Sequence, residues 1–239
     1  MLLRARHIYP VSSPPIEDGF VNLQGGRILE IGPWNGCLDR AEADNLGEVI
    51  LMPGLVNAHC HLDYTNFAGA IPSPSSFTDW IRAMVDLKAD VDDAAHRQSW
   101  LRGAQQCLRH GITTLGNIET RLNVLPELWH QTPLRMVSFL EIILLKRESA
   151  SAQELGRLKT WIKEHIPPRG SLGLSPHAPY TTKFELLEGC AEFGDLPMAM
   201  HVGESTEEDQ MFREGVGAMF DFLTEAGRDM NDCAGQSPL

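Results

Sequence analysis

Hydrophobic and polar residues follow two different rhythms along this chain, and the change falls near residue 50. Before it, apolar and polar positions alternate, as in "GFVNLQGGRILEIGPW". A period of two sends alternate side chains to opposite faces of a strand. Gly25-Gly26 interrupts the alternation with the two residues that most readily take the positive φ of a tight hairpin. Strands over Met1–Tyr9 and Gly19–Ile31 are therefore predicted to form a small sheet.

From Val49 onward the apolar residues come in continuous runs: "VILMPGLVNAHCH", "GITTLGNIE", "RMVSFLEIILL", "GSLGLSPHAPY" and "MAMHVGE". Between them lie stretches with helical spacing: Phe77–Leu87, Asp93–His110, Val124–Trp129, Ala152–Ile166, Lys183–Phe193 and Glu207–Ala226. Strands apolar on both faces and separated by helices imply parallel β/α units. Five such units fit an open doubly wound sheet or part of a (β/α)8 barrel. The polar residues decide between them. His59, His61, Glu119, Glu141, His177, His201 and Glu204 all fall near the C-terminal ends of predicted strands. Barrels place their chemistry there, and no Gly-rich phosphate loop follows the first strand to favour a nucleotide-binding open sheet. The expectation is an α/β chain: residues 1–49 as a small β domain, and 50–239 as an incomplete (β/α)8 barrel of about five units.

Composition narrows the partners. The chain has 239 residues and a formal net charge of −12. Phosphate binding needs a basic surface, so nucleic acid is an unexpected partner. No apolar run reaches the ~20 residues of a membrane span, and "MLLRARHIYP" lacks the apolar core of a signal peptide. Five scattered cysteines without a CxxC pair read as reduced, structural thiols and, with the missing leader, point to the cytoplasm.

The histidines carry the chemistry. In an extended strand His59 and His61 face one side, with Cys60 turned away. Two imidazoles aimed at one point suit a zinc-type ion. His201, after the apolar run of "MAMHVGES", is the natural third ligand. Glu204, three residues on, is placed to take a proton from a metal-activated water and deliver it to a leaving group. Alone, it would read as a carboxylate at a helix N-terminus. His177, held between prolines in "SPHAPYTT", is expected to contact substrate or support the site rather than bind metal. Glu119 and Glu141 read as pocket residues, partners of a metal-bound imidazole, or solvated charges.

In order, "PGLVNAHCHLD", "GITTLGNI", "SPHAPYTT" and "HVGES" resemble the amidohydrolase superfamily. The likeness is to its cytosine-deaminase-like branch, with its S-adenosylhomocysteine/methylthioadenosine deaminases, aminofutalosine deaminases and triazine chlorohydrolases. The resemblance implies a metal-dependent TIM-type barrel beside a small β-sandwich, to which residues 1–49 contribute one half. It also implies hydrolytic deamination of a nucleobase-like heterocycle with one divalent ion, zinc or iron. By motif it assigns His59, His61 and His201 to the metal and Glu204 to acid–base work. It assigns His177 and Trp80 to substrate, with Glu141 a candidate beside them. In nucleoside deaminases of the branch a ribose-binding Glu follows that Trp by about nine residues; here Asp90 is the nearest acid. Homo-oligomers are a family-level expectation.

The family pattern also asks for a histidine at the end of strand six and a metal-binding aspartate at the end of strand eight. Neither has a match in this chain, and Asp229 and Asp232 follow no strand. The sequence is thus expected to be incomplete relative to its family, with exposed strand edges and poor solubility on its own. The alternatives are an inactive fragment or pseudoenzyme, and a chlorohydrolase or amide hydrolase using the same metal-activated water.

Overall fold

The computed structural model describes residues 1–145 and 148–238. Its contacts divide the chain into two compact units, Met1–Leu55 and Val56–Leu239.

In the first unit β1 (Leu2–Ile8), β2 (Ile16–Gln24) and β3 (Arg27–Pro33) form an antiparallel meander. The short β4 (Ala43–Asn45) and β5 (Ile50–Leu51) add to β1 in parallel. The expected hairpin forms: Gly25 and Gly26 take φ of 57° and 76°, the left-handed pair that a two-residue turn needs. Ala5, Ile8 and Val21 make the small core. The run "VILMPGLVNAHCH" does not form one strand. Pro53, which has no amide hydrogen for a ladder, lies in the Met52–Gly54 break between β5 and the next strand.

The second unit holds a sheet ordered as in the chain: β6 (Leu55–Cys60), β7 (Ile112–Glu119), β8 (Arg135–Ile142) and β9 (Gly170–Pro176). The β7–β8 and β8–β9 ladders are parallel. Helices α1 (Phe77–Ala89) and α2 (Asp93–Arg109) lead from β6 to β7; α3 (Leu125–Trp129), α4 (Glu148–Glu164) and α5 (Phe184–Ala191) follow the later strands. The main core lies between sheet and helices, with Trp100, Leu115, Leu128, Leu140, Leu174 and Leu186 essentially fully buried. A second core joins Tyr180 to α6 (Thr206–Glu214) and α7 (Ala218–Glu225) through Met211, Phe212, Met219 and Leu223.

Two expected elements change. The fifth run, "MAMHVGE", is not a full strand; it keeps a single parallel bridge, Leu174 to Met198. It is nonetheless tied alongside β9: Leu174 N donates to Pro197 O (2.9 Å), Ala199 N to Leu174 O (3.0 Å) and His201 N to His177 O (2.8 Å). The single helix expected over Glu207–Ala226 is two helices. Gly215 ends α6 in the left-handed conformation (φ 68°), and Gly217 (φ 104°) opens α7, as C-terminal glycines commonly do.

Gly116 sets how closely β7 passes β6. A Cβ there would collide with the Ala58 carbonyl, one residue from His59. Gly116→Ala is expected to cost on the order of 1–3 kcal/mol through forced backbone displacement. Chemical denaturation compared with Gly156→Ala, where a Cβ meets nothing within 4 Å, checks this; equal midpoints would refute it.

Candidate active site

The C-terminal ends of β6 and β9 and the Met198–Glu204 segment bring four imidazoles together. Ring centroids of His59 and His61 lie 5.1 Å apart, those of His59 and His201 4.8 Å, those of His61 and His201 5.3 Å, and those of His177 and His201 5.2 Å. One ligating atom each from His59, His61 and His201 falls within 4.8 Å of the others. Two nitrogens about 2.1 Å from a common ion are at most about 4.2 Å apart, so small rotations close the set. His61 Nδ1 is buried and has no hydrogen-bond partner, a cost that a metal ligand or a bound polar group removes. The donor set therefore fits a divalent ion. Glu141, His177 and His201 also bring one donor each within 4.8 Å, so His201 stands at the centre of the donor pool.

Electrostatics push His61, His177 and His201 toward the neutral form, the one that binds metal. Burial, with His201 and His59 close by, pulls His61 down to about 3. Burial and His201 pull His177 down to about 3. His201 is lowered too, chiefly by burial, against the opposing pull of Glu204.

His177 is pinned at both ends. Its backbone N donates to Ile142 O (3.1 Å), and its Nδ1 lies 2.7 Å from Thr181 Oγ1. That contact leaves Nε2 as the ring atom free for other partners.

Glu204 is exposed in itself, yet held from two sides. Ser205 caps α6 by accepting from Glu208 N (3.1 Å), while Glu208 Oε2 accepts from Glu204 N (2.7 Å). This is close to a capping box, which "STEE" announces in sequence. Tyr180 Oη donates to Glu204 Oε2 at 2.7 Å. Tyr180 is 3% exposed, so that bond fixes the carboxylate.

His61, His177, His201 and Glu204 line a cavity of about 370 Å³, otherwise mainly apolar, with Trp80, Tyr64, Tyr180 and Lys88 among its walls. Its size suits a small organic molecule. Trp80 stacks on Phe77 (5.5 Å, 19°). The first turn of α1 is anchored to α6: Phe77 N and Thr78 N donate to the Glu207 carboxylate at 2.9 and 3.0 Å, a favourable place for an anion.

The structure separates the other candidates. Glu141 lines a neighbouring cavity, and burial lifts its carboxyl to about 7. Glu119 is 2% exposed. It accepts from Trp100 Nε1 (3.0 Å) and Ser138 Oγ (3.1 Å), and burial raises it to about 8; it is a neutral member of the core. Asp90 caps the C-terminus of α1 and is exposed; it is Lys88, two residues earlier, that reaches the cavity. Asp229 and Asp232 are engaged with Lys183 and Arg228, both at 2.8 Å. Tyr64, Lys88 and Tyr180 carried no assignment from sequence. The nearest signal was the place of Tyr180 inside "SPHAPYTT". All five cysteines are free, and among the described residues no helix is long and apolar enough to cross a membrane.

A parallel α/β unit with histidines at its strand ends defines a class, and the sequence comparison agrees: the chain belongs to the amidohydrolase family, whose model matches residues 50–232. A 5-methylthioadenosine/S-adenosylhomocysteine deaminase of Nitratidesulfovibrio vulgaris is 30% identical over 218 residues, covering 82% of this chain and 48% of that protein. The aminofutalosine deaminase of Helicobacter pylori, solved with methylthio-coformycin, superposes with a TM-score of 0.81 at 20% identity, over 98% of this chain and 58% of that one. A zinc-bound adenosine deaminase of Xanthomonas campestris superposes at 0.68 with 23% identity, over 95% and 54% of the two chains. The chain thus spans about half the length of the relatives it matches.

Proposed function

We propose that the complete protein containing this chain is a metal-dependent aminohydrolase that deaminates a nucleoside-like aminated heterocycle. Residues 50–239 would be the first part of its (β/α)8 barrel and residues 1–49 half of its β-sandwich. The observation that carries the reading is the convergence of His59, His61 and His201 on one point, at the edge of a cavity that His61, His177, His201 and Glu204 line. Deaminases among both the sequence relatives and the structural neighbours support it.

In this reading His59, His61 and His201 hold the ion, which when bound supplies acidification of a water molecule. Zinc is the first choice on its presence in the Xanthomonas relative, with iron also suited to imidazole ligands. Trp80 and the apolar wall bind the ring. His177, fixed by Thr181, presents Nε2 to the substrate. Glu204 accepts a proton from the attacking water and passes it to the ring nitrogen next to the amine-bearing carbon; the new hydroxyl then yields its proton, by way of Glu204, to the amine as the C–N bond breaks, leaving the ring carbonyl and ammonia. Tyr180 fixes Glu204 through the 2.7 Å bond so that one oxygen can serve both transfers.

The test is ammonia release by the complete metal-loaded protein from adenine, guanine and cytosine compounds, aminofutalosine and aminotriazines. Turnover of at least one is expected. Chloride release from a chlorotriazine without any deamination would move the reading to a chlorohydrolase, and no turnover of any compound would remove it.

A further inference from the structure

Helix α1 supplies one wall of the active-site cavity, through Trp80, Ile81, Met84 and Val85, yet its own first turn is completed from far away in the chain. A helix leaves its first N–H groups without partners inside itself. Ser76 takes one of them, accepting from Asp79 N at 3.0 Å. Two others go to Glu207, 130 residues on from Phe77. Phe77 N donates to its Oε1 at 2.9 Å and Thr78 N to its Oε2 at 3.0 Å. Thr78 Oγ1 donates to the same Oε2.

Glu207 is the second residue of α6. Its carboxylate therefore stands between two helix N-termini, its own and that of α1, and both favour a negative charge. Thr78 is buried, which shields that side of the contact from water. Phe77 and Ile81 complete it by packing with the core of α6 and α7. A second polar tie of α1, Arg82 to Glu225 at 3.5 Å, is exposed on both sides and holds little. Three acids of one short run thus divide the work. Glu204 lines the cavity, Glu208 fixes the Glu204 backbone, and Glu207 holds the α1 wall. Phe77, whose amide Glu207 binds, stacks on Trp80.

We propose that Glu207 is a positioning residue that sets Trp80 and the α1 wall at a fixed place relative to Glu204, so that a ring seated on that wall lies within reach of the acid–base carboxylate. The inference rests on the reading of this cavity as the substrate site. It adds a residue that acts through Trp80 rather than on the substrate itself. Glutamine at this position would offer one acceptor oxygen and an NH2 that cannot accept from a donor. One amide of the α1 first turn would then lose its partner.

The test reads backbone protection and binding rather than turnover. In the complete metal-loaded protein Glu207→Gln is expected to speed hydrogen exchange of the α1 amides at least about tenfold, with the β7, β8 and β9 amides and the metal content unchanged. Calorimetry with inosine, an already deaminated purine nucleoside, should show binding weakened about tenfold, the range of a charge-assisted hydrogen bond. In Trp80→Ala, which removes the ring through which Glu207 acts, adding Glu207→Gln should weaken inosine by less than about twofold. Independent damage to the structure would instead add in full. Thr78→Val, which removes one donor and keeps the test open should Glu207→Gln not fold, is expected to show the same pattern in smaller degree. Thr78→Ser, which keeps the hydroxyl, should behave as the parent. Unchanged exchange or unchanged binding in both Glu207→Gln and Thr78→Val, equal losses with and without Trp80, or no binding of inosine to the parent overturns the inference. Each of these leaves the ammonia-release test standing on its own. The expected results without ammonia release from any compound would remove the aminohydrolase reading and keep Glu207 as a determinant of ring binding.

Discussion

Glu204→Gln should lower kcat of the complete enzyme by about 10³-fold while its metal content stays the same. The glutamine keeps the shape of the side chain and can still accept from Tyr180, which donates at 2.7 Å in the parent, but it cannot hold the proton in transit. General acid–base groups typically contribute about 10²–10⁴-fold. One carboxylate serving two transfers belongs toward the upper part of that range. Tyr180→Phe should show a milder version, about 10- to 100-fold, because it removes one hydrogen bond to a charged group and leaves the carboxylate present but less well aimed. Steady-state kinetics with metal analysis on each variant decides the matter. A loss below tenfold for Glu204→Gln, with metal retained, would sink the acid–base assignment and reduce Glu204 to a residue at the start of α6.

Much of this arrangement was legible in the sequence because it depends on local spacing. His59-x-His61 falls on one face at a strand end by the two-residue period, and β7, β8 and β9 announce themselves as apolar runs with helices between. Gly25-Gly26 marks its turn by conformational necessity. Other features depend on partners distant in the chain and leave no local trace. Nothing near Lys88 indicates that it meets Tyr64, 24 residues away. Nothing near Glu119 indicates that Trp100 and Ser138 enclose it, so a strand-end carboxylate that looked equally fit for the pocket belongs to the core. The fifth run misled for a related reason. Its composition is that of a strand, but composition does not set how far the backbone stays in register with its neighbour, and here only one bridge to β9 forms.

Removal of the metal should cost stability as well as activity, and His61 is the residue at which the two can be separated. A ligand that binds only the native state stabilises it by about 2.7 kcal/mol at 100 times its Kd, so zinc should raise the melting temperature of the complete protein and a chelator should reverse the rise. Partners that merely support a metal-bound histidine are worth about 10–100-fold in metal affinity; loss of an imidazole that binds the ion directly, in His61→Ala, should exceed that. The metal-free variant should lose less stability than a buried side chain of this size normally costs, because its Nδ1 is buried without a partner in the parent and its removal relieves that penalty. Acid adds a sign that can be checked. Burial holds His61 and His177 at about 3 in the folded state, against about 6.5 unfolded. Between those values the unfolded chain binds more protons, so stability falls as pH drops from about 6.5 toward about 3. His61→Ala should flatten that fall and His61→Gln, which has no titrating ring, should do the same. If zinc raises the melting temperature of His61→Ala as much as that of the parent, the ion is held elsewhere, and the His177, His201 and Glu141 group becomes the place to look.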